Sequence, residues 1–295
     1  MIEDFLAAHG EYYKDRYLKE LTTLKMGGRM EHYVLPYSVE DLREIISYLR
    51  NNGVDYKILG NGSNLVCGKD AYPGVVISLK KLDSFSIEND EVCVDAGVMI
   101  PYLANVLAKE GYSALEFASG IPGTLGGLVY MNAGAYRSSM SDVVSKVLIL
   151  KENELVWYSR EEMQFAYRSS ILQQHPHWVI LQAVIRLEKK DPEEILDLMK
   201  DRLKRRRQTQ PLDMPSAGSC FRNPEGTFAW KLIDEIGYRG KDRNGVVISP
   251  KHSNFIVNAG NGTAEDYLSL VYEIQRIVKE KYGIKLVMEV EKFNC

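Results

Sequence analysis

Gly120-Ile121-Pro122-Gly123-Thr124-Leu125-Gly126-Gly127, followed closely by Asn132-Ala133-Gly134-Ala135, is the stretch whose reading decides the fold. Five glycines within fifteen residues give up side-chain contacts and cost backbone entropy. A simple core segment gains nothing in return. A flat cofactor lying against bare main chain explains the composition, and so does close helix packing; from these residues alone the two readings weigh equally. In the first, Ser119, Thr124 and exposed amides would bond a pyrophosphate or a ring edge.

Working outward, a second loop, Gly60-Asn61-Gly62-Ser63-Asn64, directly follows the strand candidate Tyr56 to Leu59. Its glycines allow successive N–H groups to converge on an anion, although GxG alone reads first as a tight turn. A dinucleotide fingerprint requires a third glycine opening a helix, and here the apolar Leu65-Val66 follows instead. Around these loops, periodicity predicts a helical arm to about Leu21, a strand at Met30 to Pro36 and a helix at Val39 to Asn52 with Leu42, Ile45, Ile46 and Leu49 inward. Asn51-Asn52-Gly53 stops that helix. Strands follow at Gly74 to Leu79, Glu91 to Asp95, Val144 to Leu150 and Trp178 to Leu187, with a helix at Ile100 to Glu110. A hairpin turn is placed at Asn153-Glu154. Asp191 to Gln208 reads as a charged helix with Ile195, Leu196, Leu198, Met199 and Leu203 inward. Beyond Pro211 come a helix at Phe228 to Ile236, a strand at Asn254 to Asn258, a helix at Ala264 to Tyr282 and a closing strand at Lys285 to Phe293.

Composition narrows the class. With 295 residues the chain exceeds one small core. A net charge of −3 lacks the basic excess that a nucleic-acid partner requires. The four cysteines, Cys67, Cys93, Cys220 and Cys295, form no CxxC pair and read as reduced thiols, neither a disulfide framework nor a zinc site. His175-Pro-His177 reads as a polar turn before a strand, and no metal is expected. The start, MIEDFLAAHGEYYKDRYLKEL, lacks the basic and apolar runs of a signal peptide, so a cytoplasmic location is expected.

Taken in order, the motifs say more than any one of them. Thr23-Leu24-Lys25-Met26-Gly27-Gly28, Gly60-Asn61-Gly62-Ser63-Asn64-Leu65, GIPGTLGG with NAGAY, Tyr167-Arg168-Ser169-Ser170, Gly218-Ser219-Cys220-Phe221-Arg222-Asn223-Pro224 and Glu289-Val290 resemble the signature order of the UDP-N-acetylenolpyruvoylglucosamine reductase family, from about Thr22 to Phe293. The resemblance implies an α+β chain with the vanillyl-alcohol-oxidase (PCMH) type of FAD-binding fold. Residues 1–64 and 65–207 would form two cofactor lobes, and 208–295 a C-terminal α+β substrate domain. It implies noncovalent FAD, held by Gly60, Asn61, Gly62, Ser63, Asn64 and Leu65. The second loop would add Ser119, Gly120, Ile121, Pro122, Gly123, Thr124, Gly126, Gly127, Asn132, Ala133 and Gly134.

The family reaction implies NADPH as hydride donor and UDP-N-acetylglucosamine enolpyruvate as substrate, reduced in bacterial cell-wall precursor synthesis. Hydride reaches C3 through FAD, so negative charge builds at the carboxylate and C2, which calls for fixed donors and a proton source. By family position Arg168 would grip the carboxylate, where a random arginine is a surface ion pair. Ser219 would protonate C2, where a serine after Gly218 is otherwise a turn or cap. Glu289 would polarise the developing enolate, which implies a raised pKa; otherwise Glu289 and Glu291 are solvent-facing charges on one strand face. Tyr167, Arg207 and Asn223 would bind substrate, with Arg207 at the pyrophosphate, although a basic helix C-terminus explains most of Arg205-Arg206-Arg207. Lys251-His252 lies at the family's substrate side. Cys220 reads as a small core residue.

The chain departs from the longer class of the family at Leu187 to Asp191, where a substructure carrying a substrate-closing tyrosine would be inserted; the shorter class is implied. Two other readings remain open on sequence: an oxidase on the same FAD fold, for which Cys67 would be the flavin attachment point, and a noncatalytic nucleotide-sugar binder.

Overall fold

The computed structural model describes residues 1–295 and divides into two compact units. The first comprises Met1–Lys14, His32–Asn61 and Pro73–Lys204; the second comprises Asp15–Glu31, Gly62–Tyr72 and Arg205–Cys295. The chain passes between them within the strands Gly10–Tyr17 and Arg29–Pro36.

A four-stranded sheet opens the first unit, ordered Gly10–Tyr17, Arg29–Pro36, Tyr72–Ser78, Tyr56–Leu59. The last two strands pair in parallel, Lys57 opposite Val76. The crossover that parallel pairing demands includes the loop at Gly60, so the glycine loop sits at the carboxyl end of a strand. Helix Val39–Asn51 buries Leu42, Ile45, Ile46 and Leu49, as their spacing predicts. It starts on the Ser38 hydroxyl, which accepts from Asp41 N at 3.0 Å, and stops at Gly53 with φ 66°.

A five-stranded antiparallel sheet follows, ordered Glu154–Ser159, Val144–Lys151, Val179–Arg186, Glu91–Asp95, Phe85–Glu88. Helix Ile100–Lys109 joins its core through Leu103, Ala104 and Leu107. The hairpin turn lies one residue earlier than the sequence suggested. Glu152 and Asn153 occupy the two central positions at φ 49° and 75°, and Lys151 pairs with Glu154. A two-residue turn matched to strand twist requires positive φ at both positions, which places Glu154 in the strand.

Two further expectations are corrected. The N-terminal arm is helical over Ile2–His9 and again in a single turn at Leu18–Leu21, with a strand between them. Gly10 is extended, and Gly10–Tyr17 pairs along Arg29–Pro36 as the sheet's outer strand. Its aromatic residues suit a half-buried strand, and pairing overrides their helical spacing. Helix Pro192–Thr209 forms, but only Ile195 is buried; Leu198 and Leu203 are exposed. Charged residues surround the apolar ones, so no wide apolar face exists to bury.

In the second unit, a sheet ordered Ser216–Ser219, Phe255–Asn258, Val246–Ile248, Asp242–Arg243 packs with helices Ala229–Glu235 and Ala264–Tyr282. The long helix buries Tyr267, Leu270, Val271, Ile274 and Val278. Thr263 and Asp266 cap its start reciprocally, and Gly283 at φ 70° ends it. The predicted closing strand is shorter: Met288 makes an isolated bridge to Phe221, and only Glu291–Phe293 is regular, parallel to Leu65–Cys67. Glu289 therefore lies outside the regular strand, separated from Glu291 by a bend at Val290, and the continuous alternating strand expected over both is not formed.

Glu273 on the long helix accepts from Tyr238 Oη at 2.5 Å, Lys241 Nζ at 3.0 Å and Arg243 Nη2 at 2.6 Å. The Tyr238 and Lys241 hydrogen bonds hold its carboxyl down from 4.5 to about 2. A carboxylate with a depressed folded pKa stabilises fully above its unfolded pKa and loses that contribution as pH falls. Glu273→Gln is therefore expected to lower stability at neutral pH, and denaturation curves should show the gap to wild type closing as pH falls from about 4.5 to about 2.

Candidate active site

The first unit brings the two glycine loops together. Asn61 Nδ2 donates to Pro122 O at 2.9 Å. A Cβ on Gly60 would meet only Thr124 Oγ1, at 2.9 Å, and one on Gly127 only the same hydroxyl, at 3.8 Å. Thr124 itself is buried, so at Gly60 the close approach of that hydroxyl leaves no room for a side chain. The amides of the run are divided. Leu125 N donates to Val98 O and Gly126 N to Ala96 O, both at 2.9 Å, while Leu128 N turns back to Thr124 O. Gly126 lies against Ala96, its added Cβ only 3.2 Å from that methyl. Both readings of the run thus operate: Gly126 serves packing, whereas Gly127 is exposed and Gly60 half-buried, leaving a cradle of main chain that no side chain of their own covers. That bare main chain fits a flat, anionic cofactor such as FAD.

Asn132 is buried and ties the cradle to the arginine hairpin. Its Nδ2 donates to Ala166 O at 2.9 Å, and its Oδ1 accepts from Ser141 N at 2.9 Å. Ala166 and Ser169 pair through both main-chain bonds, placing Tyr167 and Arg168 at the tip of a tight turn, with Arg168 at φ 56°. Arg168 Nη2 donates to Gly134 O at 2.8 Å, and its guanidinium lies 5.2 Å from the Tyr167 ring centroid. Ser170 anchors the turn by donating to Tyr130 O at 2.7 Å. Ser119 donates to Glu116 O at 3.0 Å, so its hydroxyl holds its own turn.

The second unit carries Gly62 to Leu65, Arg207, Ser219, Asn223 and Glu289. Ser216–Ser219 bulges against its neighbour: Ser216 pairs with Val257 and Ser219 with Phe255, three steps against two. Gly218 absorbs the extra residue at φ 80°, with nothing within 4 Å of its missing Cβ, so backbone conformation rather than space requires glycine. The bulge re-aims Ser219 at the strand end. Just beyond, Cys220 N donates to Asn254 O at 2.7 Å, and the Asn254 side chain both accepts from Phe221 N at 3.0 Å and donates to Phe221 O at 2.8 Å. Glu289 N donates to Cys220 O at 2.8 Å, which brings the Glu289 and Ser219 main chains side by side. Asn64 fastens the same segment: its Nδ2 donates to Glu289 O at 3.1 Å, and its O accepts from Glu291 N at 2.9 Å. Asn223 Oδ1 accepts from Ala229 N at 3.1 Å, and Arg207 lies exposed in the last turn of its helix.

Sequence reasoning missed Asn254 and Asn258 as positioning residues. Asn258 Nδ2 reaches Leu24 O at 3.3 Å and so holds the Thr23 to Gly28 motif. The available signal was an asparagine at each end of the apolar run Phe255-Ile256-Val257. Burial pushes both the Cys220 and the Cys67 thiols up to about 12. Neither is a nucleophile, and Cys67 offers no flavin attachment point. Iodoacetamide at pH 8 should label Cys93 and Cys295 in the folded protein, more slowly than a free thiol because burial raises both, and Cys67 and Cys220 only on unfolding, as read by peptide mass spectrometry. Burial lowers the His252 pKa. His175-Pro-His177 is a turn, Trp178 N donating to His175 O at 3.0 Å. No helix is long and apolar enough to cross a membrane.

Comparison with known proteins agrees with this geometry. Residues 30–157 match a family model described as an FAD binding domain, and residues 210–293 match one described as the C-terminal domain of UDP-N-acetylenolpyruvoylglucosamine reductase. The reductase of that name from Caldanaerobacter subterraneus subsp. tengcongensis is 44% identical, covering 96% of this chain and 93% of the relative. The one from Bacillus subtilis is 42% identical over 92% of this chain and 90% of the relative. The crystal structure of UDP-N-acetylenolpyruvylglucosamine reductase from Thermus caldophilus superposes with a TM-score of 0.82 at 34% identity, covering 96% of this chain and 98% of that one. A glucose dehydrogenase, Phl p 4.0202, shares the fold alone, with a TM-score of 0.50 at 16% identity over 64% of this chain and 45% of that one. The α+β FAD-binding fold expected from the motifs is the one found, and FAD is the cofactor that its cradle fits. This chain belongs to the UDP-N-acetylenolpyruvoylglucosamine reductase family of FAD-dependent oxidoreductases.

Proposed function

We propose that the enzyme reduces UDP-N-acetylglucosamine enolpyruvate to UDP-N-acetylmuramate with NADPH, in the cytoplasmic synthesis of peptidoglycan precursors. The observation that carries this reading is the bulge at Gly218, which turns Ser219 to the end of its strand beside Glu289, each fixed by an asparagine. In this reading residues 1–64 and 65–207 supply the cofactor lobes and 208–295 the substrate domain. FAD supplies the hydride relay from NADPH to C3 of the enolpyruvyl group. Gly60 to Leu65 and the Ser119 to Gly134 segment hold it without a covalent bond.

Arg168 binds the substrate carboxylate, where charge accumulates; its planar fork of donors is pre-oriented by the bond to Gly134 O. Tyr167 stacks beside it. Ser219 Oγ–H gives its proton to C2 as that carbon becomes strongly basic. Glu289, acting in its protonated form, donates toward the enolate-like intermediate. Asn223 and Arg207 bind the UDP-sugar. A noncatalytic binder has no use for a proton donor at Ser219. The test is spectroscopic: purified protein is yellow, NADPH bleaches it, and the enolpyruvyl UDP-sugar restores the colour. Protein that binds FAD but is not reoxidised by this substrate would overturn the reading.

A further inference from the structure

All four cysteines are free thiols, and Cys67 and Cys295 meet in the second unit. Strand Leu65–Cys67 runs parallel to Glu291–Phe293, with Cys67 opposite Phe293. Gly68 N donates to Phe293 O at 2.9 Å, and Asn294, at φ 51°, then turns the chain. Cys295 comes to rest against the neighbouring strand. Its sulfur lies 3.4 Å from Val66 O, the carbonyl of the peptide that joins Val66 to Cys67. A Cβ on Gly68 would stand 3.4 Å from Cys295 Cα. Such closeness, one residue from Cys67, suits the roughly 4.4–6.8 Å that a disulfide spans between Cα atoms.

The two thiols differ in access. Cys67 is 1% exposed, whereas Cys295 faces solvent. Burial first, and the charge of Cys295 second, raise the Cys67 thiol. Packing explains why residue 67 is small: a Cβ on Gly27 would come 2.8 Å from Cys67 Cβ. Alanine would meet that demand equally well, so packing gives no reason for a second sulfur on the adjoining segment. An accessible thiol beside a sheltered one is the arrangement in which the first is oxidised and the second captures it. Burial raises Cys295 as well, so the pair answers sustained oxidant rather than a brief pulse.

We propose that Cys295 and Cys67 are an oxidative modification site, at which hydrogen peroxide converts the two thiols to a disulfide joining the strand after the cofactor loop to the segment that carries Glu289. Cys295 attacks the peroxide O–O bond, becoming a sulfenic acid and releasing one water. Cys67 then bonds to the Cys295 sulfur, and the sulfenic oxygen leaves with the Cys67 proton as a second water. Two thiols are oxidised and one peroxide is reduced. The consequence follows from connectivity. Leu65–Cys67 continues directly from Gly62 to Asn64, and Asn64 bonds to Glu289 O and Glu291 N. The disulfide ties both sides of that clamp, and a cross-link between residues so distant in sequence also restricts the unfolded chain. The effect on flavin rests on the cofactor role given to this loop above; the disulfide itself does not.

The test uses FAD-loaded protein, reduced and desalted, exposed to millimolar hydrogen peroxide and blocked with N-ethylmaleimide before non-reducing peptide mass spectrometry. We expect a Cys67–Cys295 peptide linked within single chains, which dithiothreitol reverses. Cys67→Ala should instead accumulate a dimedone-reactive sulfenic acid at Cys295. Cys295→Ser should leave Cys67 unmodified, and Cys93→Ser should behave as wild type. The oxidised wild type should unfold at higher urea concentration and release FAD more slowly than the reduced form, and Cys295→Ser should lose both differences. Cys295 that pairs only with another chain, or that passes to sulfinic acid while Cys67 stays reduced, overturns the inference. A linked peptide without any change in FAD release instead overturns the cofactor role of Gly62 to Leu65 and leaves the modification site standing.

Discussion

Ser219→Ala is expected to slow turnover of the enolpyruvyl substrate by roughly 10²- to 10⁴-fold, the contribution of a positioned general acid, while NADPH still reduces the bound FAD at the wild-type rate. The split between the two half-reactions is the informative quantity. The main chain at Ser219 is set by its pairing with Phe255, by the Gly218 bulge and by the Asn254 clamp on the following residues. None of these uses the hydroxyl, so the variant should melt as the wild type does. Stopped-flow absorbance of the flavin reads both halves in one experiment. Equal losses in reduction and reoxidation would point to a damaged cofactor site, and no loss in either would remove Ser219 from proton transfer.

The second large effect is expected at Gly62. Its φ is 61°, and a Cβ there would come 2.5 Å from Leu21 O and 3.0 Å from Thr22 Cα. Alanine must therefore bear a left-handed backbone, roughly 1–3 kcal/mol, and also displace main chain rather than a flexible side-chain end. The loop shifts, and with it Ser63, Asn64 and the Asn64 bonds to Glu289 and Glu291. Gly62→Ala should purify with little flavin and bind added FAD at least about tenfold more weakly. Gly53→Ala is the matched control. Gly53 has φ 66° with nothing within 4 Å of its Cβ position, so that variant carries strain alone and should retain full flavin content.

Much of this fold is written locally. Helix Ala264–Tyr282 is legible to the residue because Thr263 with Asp266 begins it and Gly283 ends it, leaving no slack at either terminus. The glycine loops are legible because their backbones need particular residue types, whereas the turn that holds Arg168 at φ 56° is not, since an arginine does not announce that conformation. What else escaped depends on partners far away in the chain. Tyr12, Tyr13 and Tyr17 have helical spacing, yet pairing with Arg29–Pro36 makes them a strand. Glu289 looks like a strand residue until Asn64 and Cys220 pull on its main chain from separate directions. The services of Asn254 and Asn258 are likewise invisible, since an asparagine beside an apolar run reads as a turn residue whatever carbonyl it reaches.

The parallel pairing of Glu291–Phe293 with Leu65–Cys67 sets a schedule for biosynthesis. Every stretch of the first unit has been translated by Lys204, so that unit can collapse while the ribosome is still at work. The second cannot, because Asp15–Glu31 and Gly62–Tyr72 await partners in Arg205–Cys295. Long-range closures of this kind are slow to form, and domains complete during synthesis in the order their residues emerge. The Asn64 clamp is therefore among the last contacts made, and nascent chains stalled before residue 289 would display the Gly62 to Leu65 segment without its anchor. Flavin content of ribosome-released fragments ending before and after residue 289 would show whether cofactor loading waits for that clamp.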